Sequence, residues 1–174
     1  EGVGAGVGEV GVADEHRASI ELGGANAFVQ REAGGLVGVH AQHAERALLA
    51  ALGRPQPTRE RAWAERVARE LSAASEAIEA HRREVEGEHG LYGELRFEAP
   101  WLLGRVHQLS AQLARIQAEA RDLASEVQRV IDGDLQGLGT IRADAERMLL
   151  SLRDLRAKET DLIFERFNEP VALD

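Results

Sequence analysis

The chain of 174 residues has no cysteine, which removes disulfide frameworks and thiolate metal sites from consideration. Aromatic residues make up only 4% of it, so there is no run of rings on which nucleic-acid bases would stack. Positive charge is also in short supply. With 21 Lys and Arg against 30 Asp and Glu the formal net charge is −9, the wrong sign for a phosphate-binding surface, and no nucleic-acid partner is expected. No stretch of eighteen apolar residues occurs, so no membrane-spanning helix is expected. No basic segment followed by an apolar one marks a secretory leader, and a cytoplasmic location is the default expectation. The early stretch Gly2-Val3-Gly4-Ala5-Gly6 lacks the preceding strand and following helix of a dinucleotide-binding loop, and no Gly-Lys-Ser/Thr phosphate loop follows.

What the chain does contain is aliphatic residues at helical spacing, separated by interleaved Arg and Glu of a solvated helix surface. Ten of its 18 glycines fall within residues 1–38. Glycine costs about 1 kcal/mol per helical position relative to alanine. Residues 1–35 are therefore read as a Gly-rich, irregular segment and residues 36–174 as the helical domain. A first helix is predicted from about Leu36 to Leu52, closed by Gly53 and by Pro55 and Pro57, with Thr58 placed to cap the next.

That next helix carries Trp63, Val67, Leu71, Ala74, Ile78, His81 and Val85 on one face. A short helical piece is expected over Leu91–Phe97. Pro100 opens a third long helix with a stripe from Leu102 through Leu113 to Val130, ending at Asp132-Gly133. Thr140 is placed to cap a fourth, whose stripe is Ile141, Ala145, Met148, Leu152, Leu155, Glu159 and Leu162. Long stripes with short connections predict an all-α, antiparallel up-down four-helix bundle.

Two polar residues, His81 and Glu159, sit on these otherwise apolar stripes. Two readings are open. They form a buried His–Glu pair that satisfies both groups without metal, or they are part of a coordination site of the kind built inside helical bundles. His107 and Ser110 have no orienting acid or oxyanion donors beside them and read as surface polarity, as does His89 in its Gly-flanked bend.

The stretches His81-Arg82-Arg83-Glu84-Val85-Glu86-Gly87 and Gly90-Leu91-Tyr92-Gly93-Glu94-Leu95 resemble the second helix and bend of bacterial hemerythrin-like domains. Ala99-Pro100-Trp101-Leu102 resembles the family's entry to the next helix. The run from Leu152 to Asn168, with Leu162-Ile163-Phe164 near its end, resembles its last helix. The resemblance covers about residues 60–174 and implies a hemerythrin-like bundle. It places His81 and Glu159 at ligand positions but puts Leu155 where the family has the last-helix His, and Gln112-Leu113 where it has Glu-His.

His40 and His43 stand too near the turn at 53–58 to repair the site. His43 lies roughly 15 Å from that turn and His81 roughly 34 Å, at 1.5 Å per helical residue. Glu32 is level with His81 and completes the candidate metal set of His81, Glu159 and Glu32; His16 lies beyond that level. The expectation is a module without catalysis that has lost most metal ligands, carries no cofactor, and binds a protein partner or itself. The alternative is a residual iron-binding or oxygen-linked sensor using His81 and Glu159.

Overall fold

The structure, a computed structural model, describes residues 36–53 and 58–166, with side chains from residue 42 onward. Leu36–Asp174 forms a unit by itself. The expected Gly-rich segment 1–35 lies outside the described residues. Among those residues every regular element is helical. They are α1 (Leu36–Ala51), α2 (Glu60–Glu86), α3 (Leu91–Glu98), a 3₁₀ turn (Pro100–Leu102), α4 (Leu103–Ile131) and α5 (Leu138–Arg166). None of these helices is long and apolar enough to cross a membrane.

The predicted stripes are the buried faces. On α2 the six apolar members from Trp63 to Val85 are buried, joined by Ala64. On α4 every stripe residue from Val106 to Val130 is buried, and on α5 the whole stripe is buried with Glu159 included. Helix α1 packs along α2, α2 along α4, and α4 along α5, while α3 rests on α2 and α4. Each large aliphatic or aromatic side chain removed from water contributes about 1.5–3 kcal/mol as an upper figure. The surface pairs Arg61–Glu65 and Arg142–Glu146 are exposed and contribute only about a few tenths of a kcal/mol each. Apolar burial therefore dominates the association of the helices.

Two helix starts differ from expectation. Arg59, not Thr58, occupies the N-cap of α2 and offers no side-chain cap. Thr58 instead has φ 68°, and its backbone N–H donates to Glu60 Oε1 at 3.1 Å. Thr140 lies inside the first turn of α5, where its hydroxyl donates to the Gly137 carbonyl at 2.9 Å rather than accepting from the next turn. The 3₁₀ turn starting at Pro100 precedes α4, and the connection after α4 turns at Gly133, φ 101°.

Candidate functional site

His81 and Glu159 face each other inside the bundle. The 3.6-residue repeat of α2 puts His81 on the same face as Ile78 and Val85, and that of α5 puts Glu159 in line with Leu155 and Leu162. His81 Nε2 lies 2.9 Å from Glu159 Oε2 and 3.2 Å from Oε1. A carboxylate only accepts, so the imidazole Nε2–H is the donor. The Glu159 side chain is 8% exposed and that of His81 17%. A carboxylate this deep requires charge-assisted partners.

The third member is Tyr92, the chain's single tyrosine. It is fully buried, and its hydroxyl donates to Glu159 Oε1 at 2.6 Å. It reaches that point because the chain folds back tightly between α2 and α3. A Cβ built on Gly90 would lie 2.0 Å from the Glu84 carbonyl oxygen, and one on Gly93 would lie 2.5 Å from that of Gly87. Only glycine permits the backbone to pass this close, and the passage brings Tyr92, in the first turn of α3, within reach of Glu159.

A second buried carboxylate continues the polar layer onto α1. Glu45 is 6% exposed and is gripped by two guanidinium groups of α5, Arg153 and Arg156. The Arg156 contact is 3.4 Å. Burial pulls the Arg156 ionisation downward, and the charges of Glu45 and Glu159 oppose that pull. Arg156 thus stands between the two carboxylates electrostatically. The layer contains carboxylates from α1 and α5, guanidinium groups from α5, imidazole from α2 and phenol from α3.

Burial alone would lower the His81 ionisation. The hydrogen bond to Glu159 and its charge more than offset that, with Arg156 opposing and Glu84 assisting, so the folded value stands above the ordinary 6.5. The sign follows directly. A group raised on folding stabilises fully below its unfolded value, and the contribution fades as pH rises through the folded value. The stability advantage of the natural chain over His81→Gln should therefore be larger near about pH 6 than near about pH 9. Urea unfolding at both values checks this, and an advantage that grows with pH would contradict the assignment.

Of the other sequence-predicted positions, Glu32 lies outside the described residues, as do His16 and the His40 side chain. His43, His89 and His107 are exposed. Ser110 is not idle surface polarity: its hydroxyl donates to Glu86 Oε1 at 2.8 Å, tying α4 to the end of α2. Gln112 turns toward the outer edge, donating to Asp154 Oδ2 at 2.9 Å and accepting from Lys158. Leu113 and Leu155 have no exposed surface.

The described residues do not supply a di-iron donor set. No three His, Cys, Asp or Glu side chains converge among them. Glu159 Oε1 is already engaged by the Tyr92 hydroxyl. Burial first, and then the charge of Glu159, push the Tyr92 ionisation far above its ordinary value, so the phenol stays protonated and is a donor rather than a phenolate ligand. Comparison with known proteins finds no family model, no curated protein and no solved structure that matches the chain.

Proposed function

We propose that residues 36–174 form a hemerythrin-like, antiparallel up-down four-helix bundle whose metal chamber has become a metal-independent packed layer. In this reading the domain serves as a non-catalytic binding or regulatory module. Support for the antiparallel order comes from ties between helices. Glu86 meets Ser110 while Glu79 meets Gln117, and Arg105 meets Glu165 while Gln112 meets Asp154, so numbers rise on one helix as they fall on its neighbour.

The observation that carries the reading is the saturation of Glu159. His81 and Tyr92 occupy both its oxygens, and fully buried leucines stand at the two positions, 113 and 155, where the resemblance implies metal-binding histidines. Aliphatic carbon contributes packing there and nothing to coordination. A binding role is supported by the end of the bundle where Arg166 ties α5 to Glu94 and Glu98 of α3. There Phe97 is 85% and Phe164 56% exposed, an unusual use of large apolar side chains in a chain with few aromatics.

The test is metal analysis with an anaerobic ferrous titration followed by absorption spectroscopy. The purified protein should hold well under one equivalent of iron, should show no ligand-to-metal bands, and should keep its Tm within about 1 °C in excess chelator. A tightly held pair of irons per chain, lost on His81→Ala, would overturn this reading in favour of the residual iron-binding one.

A further inference from the structure

Helix α5 differs from the other long helices on its outer side. Among the described residues α2 and α4 leave no large apolar side chain exposed, whereas α5 leaves Leu150 and Phe164 in solvent, Leu150 by 62%. Both stand opposite the buried row of Leu152, Leu155, Glu159 and Leu162. Ala143 and Ala157 are exposed on the same side, so Ala143, Leu150, Ala157 and Phe164 recur every seven residues. Apolar residues at that spacing form the seam along which two helices pack, and a single chain leaves this one uncovered.

The charges beside the row match a second copy of it. Glu146 and Arg153 flank it on one side, and Arg147 and Asp154 on the other. Turning a second α5 end for end about a two-fold axis at Leu150 sets the two Leu150 side chains together and each Ala143 against Ala157 of the other copy. Residues keep their own side of the row in that turn. Glu146 therefore meets Arg153, Arg147 meets Asp154, and each pair forms twice with no like charges opposed. The four side chains are already held within their own chain, by Arg142, Glu45, Asp144 and Lys158 respectively, but each remains largely in solvent. Guanidinium and carboxylate groups have capacity for a second partner. Phe164, about 21 Å along the helix from Leu150, reaches the start of the other α5, where Leu135 is exposed. A parallel pairing matches the charges equally but sets like ends of the helix dipoles side by side. We propose that two copies of this protein associate through the outer faces of α5, antiparallel about Leu150. This rests on the reading of the domain as a binding module and names its partner.

The experiment uses the full chain, with light scattering after gel filtration from about 1 μM to about 1 mM. One helix per chain is a small interface, so the natural protein should dimerise with a Kd of about 10–100 μM. Leu150→Glu sets two carboxylates together on the axis and should weaken dimerisation at least about tenfold. The side chain is exposed, so the circular dichroism of the variant should be that of the natural chain. The chain has no cysteine, and introduced ones report the register. An equal mixture of Ala143→Cys and Ala157→Cys should form the mixed disulfide under mild oxidation, while each variant alone stays unlinked. A monomer up to about 1 mM, a dimer indifferent to Leu150→Glu, or disulfides within each variant in place of the mixed one would each overturn the proposal. The iron titration decides the packed-layer reading separately: a monomer without iron would remove the second copy and leave the binding module standing.

Discussion

Glu159→Ala should lower stability by about 3 kcal/mol, the largest loss expected from removing any one polar group of the bundle. The substitution strands two donors at once. The Tyr92 hydroxyl is fully buried and has its 2.6 Å partner in Glu159, and the mostly buried His81 loses the acceptor that raises its ionisation. Arg156, already disfavoured by burial, loses one of the two carboxylates that offset the cost. Unfolding in urea with an unchanged m-value measures the loss. Replacing the whole triad by Glu159→Leu, His81→Leu and Tyr92→Phe should bring stability back to within about 1 kcal/mol of the natural chain, because a well-packed apolar set carries no desolvation cost. A single Glu159→Ala variant as stable as the natural chain would show that the contact is not formed in solution.

The contrast between single and triple replacement bears on why the polar layer is there. If apolar side chains pack as well, the layer is not explained by stability. What it does provide is register. Glu159 ties α5 to α2 and α3, and Glu45 ties α1 to α5, through hydrogen bonds that form in one alignment of the helices. Apolar stripes such as Leu109–Leu113–Ile116 of α4 would accept a slip of one turn with little change in buried area. A slip of one turn, about 5.4 Å, would break each of these hydrogen bonds.

The stripes were legible because helical burial imposes a period that survives in the sequence. The same period exposed His81 and Glu159, since a polar residue in an apolar row is visible without knowing what faces it. Tyr92 was not legible in that way. It lies beyond the bend at Gly87–Gly90, and the phase of α2 does not carry through a bend into α3. Glu45 did carry a signal, for Glu45, Leu48 and Leu52 are spaced by three and four like the stripe around Glu159. Helix starts were misplaced at Thr58 and Thr140 because capping depends on the φ of the preceding backbone, which residue type only biases.

The bend that hid Tyr92 is also where one methyl group should do most damage. Gly90→Ala places a Cβ 2.0 Å from the Glu84 carbonyl oxygen and 2.7 Å from that of Val85, both backbone atoms of the last turns of α2. No side-chain rotation relieves that clash, so α3 must move away from α2, and Tyr92 with it. The expected loss is about 2–4 kcal/mol. Gly104→Ala is the natural control. Its added Cβ meets nothing within 4 Å, and alanine's helix propensity should leave stability equal or improved by up to about 1 kcal/mol. If displacement of Tyr92 is part of the damage, Gly90→Ala and Tyr92→Phe must be less than additive, because a hydroxyl already pulled from Glu159 has little left to lose. Full additivity would mean that the backbone absorbs the methyl locally and that the glycine bend is not what delivers Tyr92 to the buried carboxylate.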